Sequence, residues 1–141
     1  MSIYLDASVL VALLQDEGGS SAAIDFVATA DRVLIVSEFA RGEVASALSR
    51  LVRMNMMHPD AAVDRLDAFD EWVATAAQPI PTEAGDIRLA THFVRRFELG
   101  LRMPDAIHLA SARARHLTLA TLDERMKQVA GQLEIETAEI G

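Results

Sequence analysis

Apolar residues recur along this chain in two alternating rhythms. Short unbroken runs at Ile3-Tyr4-Leu5, Val33-Leu34-Ile35-Val36 and Leu117-Thr118-Leu119-Ala120 read as strands buried on both faces. Ile80 should lie in a short extended piece between Pro79 and Pro81, and Leu133-Glu134-Ile135 should form a last strand. Longer segments with helical spacing separate these runs. One helix is expected over 8–15, broken at Gly18-Gly19. A second should be capped by Ser20 or Ser21 and reach 29, with Ala23, Phe26 and Val27 on one face. Ser37 suits the cap of a long helix reaching about 54. Pro59 and Pro104 suit the first turns of helices reaching about 77 and 115. Thr82 is placed to cap a helix over 83–97, Gly100 to end that region, and Asp123 to start a short helix. Strands separated by helices imply an α/β fold of three layers, with a central mostly parallel sheet flanked by helices.

At 141 residues, with no repeat, low-complexity tract or linker, one domain spanning 1–141 is expected. The hydrophobic fraction of 51% suits a packed globule rather than a disordered chain. Absence of cysteine excludes disulfides, thiolate zinc sites and cysteine nucleophiles. The first residues lack a basic leader, and the apolar stretch 9–14 is too short to span a bilayer, so a cytoplasmic protein without a membrane partner is expected. A net charge of −8 argues against a general nucleic-acid-coating protein. An enzyme that meets phosphates through bound metal remains compatible with it.

Four acids stand at the edges of, or inside, apolar runs: Asp6, Glu43, Asp105 and Asp123. Asp6 and Asp123 follow strands, where ligands gather in parallel sheets. Each acid also has an ordinary explanation. Asp6 and Asp123 suit helix caps, and Asp105 favours the positive end of a helix. Glu43 sits among Phe39, Ala40, Ser46 and Ala47 at helical spacing, at the margin of an apolar stripe or paired with Arg50. Burying several unpaired carboxylates together is costly unless a counter-charge is present. A hard divalent cation with oxygen ligands, Mg2+ or alternatively Mn2+, supplies one.

Four segments carry these acids: Ile3-Tyr4-Leu5-Asp6-Ala7-Ser8, Arg41-Gly42-Glu43-Val44-Ala45-Ser46-Ala47-Leu48, Met103-Pro104-Asp105-Ala106-Ile107-His108-Leu109-Ala110 and Ala120-Thr121-Leu122-Asp123-Glu124-Arg125-Met126. In order and spacing they resemble the PIN-domain proteins, more narrowly the VapC-type toxin ribonucleases of toxin–antitoxin pairs. The resemblance covers essentially the whole chain. It implies a PIN-like fold and metal-dependent endonucleolytic cleavage of an RNA substrate, with Asp6, Glu43, Asp105 and Asp123 as the catalytic and metal-binding quartet. Asp6 and Asp105 would hold the principal ion, Asp123 would complete that site or a second, and Glu43 would bind metal or orient water. Ser8 and Thr121 match hydroxyl residues that support such a site. A homodimer and a cognate antitoxin protein are implied as partners.

Other signals are weaker. Arg41, Arg50, Arg53, Arg95, Arg96 and Arg102 are candidates for local positive surface, or for routine helix solvation. His108 falls one turn after Asp105 and suits core packing more than the site. Phe69 and Trp72 read as helix packing. Met54, Met56 and Met57 are core or partner surface. A receiver or aspartyl-phosphatase domain would require a lysine near the site, and the only lysine is Lys127. A dinucleotide site lacks its glycine turn. The alternative of a different class is a non-catalytic PIN-like module that binds RNA or protein.

Overall fold

A computed structural model of the chain describes residues 2–15 and 20–141. The expected break at Gly18-Gly19 lies outside the described residues. The order is β1 (Ile3–Leu5), α1 (Ala7–Leu14), α2 (Ser20–Thr29), β2 (Leu34–Ser37), α3 (Glu38–Arg53), α4 (Pro59–Ala76), β3 (Gln78–Ile80), α5 (Ala84–Arg95), a 3-10 turn (Phe97–Leu99), α6 (Met103–Ala114), β4 (Thr118–Ala120) and α7 (Glu124–Gln132).

The strands pair in parallel in the order β3-β2-β1-β4. Because side chains alternate along a strand, the sheet divides the core in two. Tyr4, Ile35 and Leu119 face one side and pack with Phe93, Leu109 and Met126 from α5, α6 and α7. Ile3, Leu5, Val36 and Ala120 face the other and pack with Leu10, Val44 and Phe69 from α1, α3 and α4. Both faces are covered, which is why the strands read as unbroken apolar runs. The chain winds from β1 through β2 to β3 in one direction, then returns to place β4 on the other side of β1. The strand order therefore reverses between β1 and β4, where a crevice opens beyond the carboxyl ends of an α/β sheet.

Capping residues fix several helix starts. Ser37 accepts from the Ala40 N–H at 3.1 Å, and His58 Nδ1 accepts from the Asp60 N–H at 3.1 Å, with Pro59 in the first turn of α4. Thr82 departs from its expected role. Its hydroxyl accepts from the Phe39 N–H at 3.1 Å, tying the β3–α5 connection to the start of α3. Glu83 precedes α5 instead, and Asp86 Oδ2 accepts from the Glu83 N–H at 2.8 Å. Asp86 also takes both arms of Arg115, at 2.8 and 2.9 Å.

The expected strand at Leu133-Glu134-Ile135 does not form. Leu133 closes α7, Glu134 turns left-handed at φ 58°, and the Ile135 N–H returns to the Ala130 carbonyl at 2.8 Å. Helix termination thus consumes the donor a strand would need. The chain meets the sheet only afterwards, as a parallel bridge between Thr137 and Leu119. Met54 and Met56 are exposed beyond α3 and Met57 is half-buried. Phe69 and Trp72 stack on α4, their ring centres 6.3 Å apart.

Candidate active site

Asp6 and Asp123 follow the two strands that flank the reversal. The pairing places Leu5 beside Ala120, and the Asp6 N–H donates to the Ala120 carbonyl at 3.1 Å. Asp6 is buried, and its Oδ1 accepts from the Val9 N–H at 3.2 Å and from the Ser8 hydroxyl at 2.6 Å. Ser8 Oγ in turn accepts from the Leu122 N–H at 3.0 Å and lies 3.4 Å from Thr121 Oγ1. Thr121 Oγ1 accepts from the Asp123 N–H at 3.1 Å. The two hydroxyls thus tie the loops that carry Asp6 and Asp123.

Asp123 is the cap of α7, its Oδ1 accepting from the N–H groups of Arg125 and Met126 at 2.9 and 3.3 Å. Asp105 lies in the first turn of α6. Glu43 reaches across from α3, and its Oε1 bonds His108 Nε2.

The bonds to these acids fall on one oxygen each. Asp6 and Asp123 use Oδ1 and Glu43 uses Oε1, while Oδ2 or Oε2 has no partner among the described residues. Neither oxygen of Asp105 carries a hydrogen bond among the described residues. Capping and ligand roles are therefore compatible: one oxygen orients the side chain and the other keeps its lone pairs.

The four carboxylates share a field. Burial raises the Asp105 pKa most, the Asp123 charge adds to it, His108 opposes it, and Glu43 and Asp6 raise it further. Asp105 and Asp123 also line one cleft of about 70 Å³, with Arg102 and Arg125. That space has room for water beside the two carboxylates, since about 10–15 Å³ of such space is enough for one.

Sequence reasoning placed His108 in the core, and it is buried. It is also wired to the site. Its Nδ1 lies 2.7 Å from the Tyr4 hydroxyl, which lies 2.8 Å from Ser37 Oγ. Phe39 and Tyr4 pack on the ring, with centres 5.2 and 5.7 Å away. Burial raises the Tyr4 pKa far above the ordinary range, so the hydroxyl keeps its proton. Glu43 is thus braced by a histidine 65 residues away, not paired with Arg50. Arg125 was not recognised in the sequence, because only the fold brings it to the cleft beside Asp105. Of the other arginines, Arg41 pairs with Asp70 at 2.9 Å and Arg96 with Glu98 at 3.5 Å.

The donor chemistry fits a hard cation: oxygen ligands, mutual repulsion and a free oxygen on each acid. Among the described residues, no three His, Cys, Asp or Glu side chains already form a ligand group. The acids are neighbours in charge but not a closed coordination set.

The sequence matches the PIN domain over residues 3–132. The chain belongs to the PIN-domain family. Ribonucleases VapC45 and VapC49 of Mycobacterium tuberculosis are each 36% identical to it over 128 residues, covering 88% of this chain and 85% of theirs. With these relatives the chain groups among the VapC-type ribonucleases. The crystal structure of M. tuberculosis VapC20, a sarcin–ricin-loop-cleaving toxin, superposes with TM-score 0.71 at 21% identity, covering 89% of this chain and 93% of that one. A chain of a Klebsiella pneumoniae toxin–antitoxin complex gives TM-score 0.68 at 19% identity, covering 98% and 99%. At such identities these structures share the fold.

Proposed function

We propose that the protein is the toxin of a toxin–antitoxin pair, an endoribonuclease that hydrolyses RNA phosphodiester bonds with Mg2+ or Mn2+. The carrying observation is that the charges of Asp123, Glu43 and Asp6 all bear on Asp105 in a chain of the PIN-domain family. Asp6 and Asp105 would hold the principal ion, with Asp123 completing that site or a second. A bound divalent cation supplies an activated water and charge stabilisation at the phosphate.

The chain's own residues set the geometry. Ser8 and the Val9 N–H fix Asp6, the α7 amides fix Asp123, and His108 fixes Glu43. Glu43 Oε2 would bind the cation or orient its water. The water oxygen bonds to phosphorus, one P–O bond to the ribose breaks, and the leaving oxygen is protonated as water gives up its proton.

A protein antitoxin is a proposed partner, from the likeness to a toxin–antitoxin complex, and a second copy of the chain is proposed beside it. Leu13, Ile24, Val27 and Trp72 line an apolar groove between α1, α2 and α4 that suits a protein partner. No described helix is long and apolar enough to cross a membrane, in keeping with a proposed cytoplasmic site of action. Incubating the purified protein with single-stranded RNA tests the activity. Cleavage with Mg2+ or Mn2+ that stops with EDTA is expected; RNA binding without turnover would mark a binding module instead.

A further inference from the structure

We infer that Arg125, with Arg102 beside it, forms a phosphate subsite at the rim of the acidic cleft and grips the RNA backbone next to the reacting group. The subsite rests on the ribonuclease function proposed above and names how an acidic protein holds its substrate.

Both arginines line the same cleft as Asp105 and Asp123. The chain carries 21 acidic and 13 basic residues, so positive surface beside the acids is scarce. Arg41, Arg96 and Arg115 are paired; Arg102 and Arg125 form no ion pair among the described residues.

The position of Arg125 is built. Its Nη2 donates to the carbonyls of Leu99 at 3.2 Å and Gly100 at 2.7 Å, while Nε and Nη1 have no partner among the described residues. Gly100 makes the seat possible. Its φ is 62°, a left-handed conformation that glycine adopts without steric cost. A Cβ there would meet Arg125 Nη2 and push the guanidinium from its seat. One edge of the guanidinium is therefore anchored and the remaining donors are unspent.

A planar fork of donors matches a phosphate's oxygens. The cleft is small and open at the surface, with Asp105 and Asp123 in its lining. The polynucleotide must cross its rim, where these guanidinium groups stand. A structural staple holding α7 to the α5–α6 connection would use the same two carbonyl bonds, so the test separates position from charge.

Binding of a fluorescent single-stranded RNA is measured over a range of KCl, with Mg2+, in an Asp6→Asn background. Arg125→Gln should weaken binding about tenfold and lower the log–log salt slope by roughly 0.7, the loss of one single-strand phosphate contact. Arg125→Lys should keep most of the slope. Gly100→Ala should weaken binding although both arginines remain. Unchanged affinity and slope in Arg125→Gln would overturn the subsite. So would no RNA binding by the parent, or equal loss in Arg125→Gln and Arg125→Lys with a matching fall in melting temperature. Cleavage by otherwise wild-type protein is followed in parallel: Arg125-dependent binding without cleavage supports the subsite and sinks the ribonuclease, and cleavage with Arg125-independent binding does the reverse.

Discussion

A carboxylate has two oxygens, and among the described residues only one of them is hydrogen-bonded in Asp6 and in Asp123. Asp6 and Asp123 each give Oδ1 to a helix start and keep Oδ2 unbonded. Their capping roles were legible in the sequence, as was their place after a strand. That capping would leave the second oxygen available was not, since it depends on which oxygen each amide meets. Asp105 titrates above the ordinary value for aspartate, with burial as the main cause. Ionising it therefore opposes folding. The penalty is absent where the group is protonated in both states, grows as pH rises through the ordinary value of 3.8, and is complete above the raised one. Asp105→Asn should melt higher than wild type at pH 7 without metal, and the difference should close below pH 3.8. Differential scanning fluorimetry across pH checks this; a lower melting point for Asp105→Asn at pH 7 would contradict it. His108 was hidden for another reason. Its partners Glu43 and Tyr4 are 65 and 104 residues away, so a core histidine and a bracing histidine look alike in sequence. His108→Phe should cut cleavage about 10–100-fold, the usual cost of losing a residue that orients a metal ligand. His108→Gln, which can still donate to Glu43, should recover part of it in a single-turnover assay.

Helices and central strands were legible because burial on both sheet faces leaves continuous apolar runs, and because Ser37, Pro59, Pro104 and Asp123 mark helix starts. Two elements departed from the pattern, each where a polar bond outranked local propensity. Thr82 gave its hydroxyl to the Phe39 N–H rather than to α5. Leu133-Glu134-Ile135 has strand-like composition, but the α7 terminus claimed its amides. The start of α5 is held by the buried Asp86–Arg115 pair. Burial alone would raise the Asp86 pKa, but Arg115 and the Glu83 N–H outweigh it and the pKa falls. This depressed carboxyl stabilises the fold above pH 3.8, and the contribution is lost as pH falls through its lowered value. Asp86→Ala should cost about 2–4 kcal/mol, below the extreme for a broken buried pair because Arg115 is partly exposed. Urea unfolding at pH 7 checks this; a loss under 1 kcal/mol would leave α5 anchored by packing alone.

For the whole molecule, the charge of −8 looks ill-suited to a polyanionic substrate. The site resolves much of the conflict. Part of the acidity is the proposed ligand set, and bound cations would reverse its effect locally, while unpaired arginines stand at the rim. Expression of the wild-type chain should arrest bacterial growth, Asp6→Asn should not, and the product of an adjacent small open reading frame should restore growth. Healthy growth beside folded wild-type protein would contradict the toxin assignment. The most direct test of the metal-dependent ribonuclease is RNA cleavage titrated with Mn2+ for wild type, Asp6→Asn and Asp105→Asn, all purified identically. Wild type should cut only as Mn2+ is added and stop with EDTA, while both variants stay inactive yet folded. Cleavage that ignores EDTA, or that persists at wild-type rates in both variants, would contradict it.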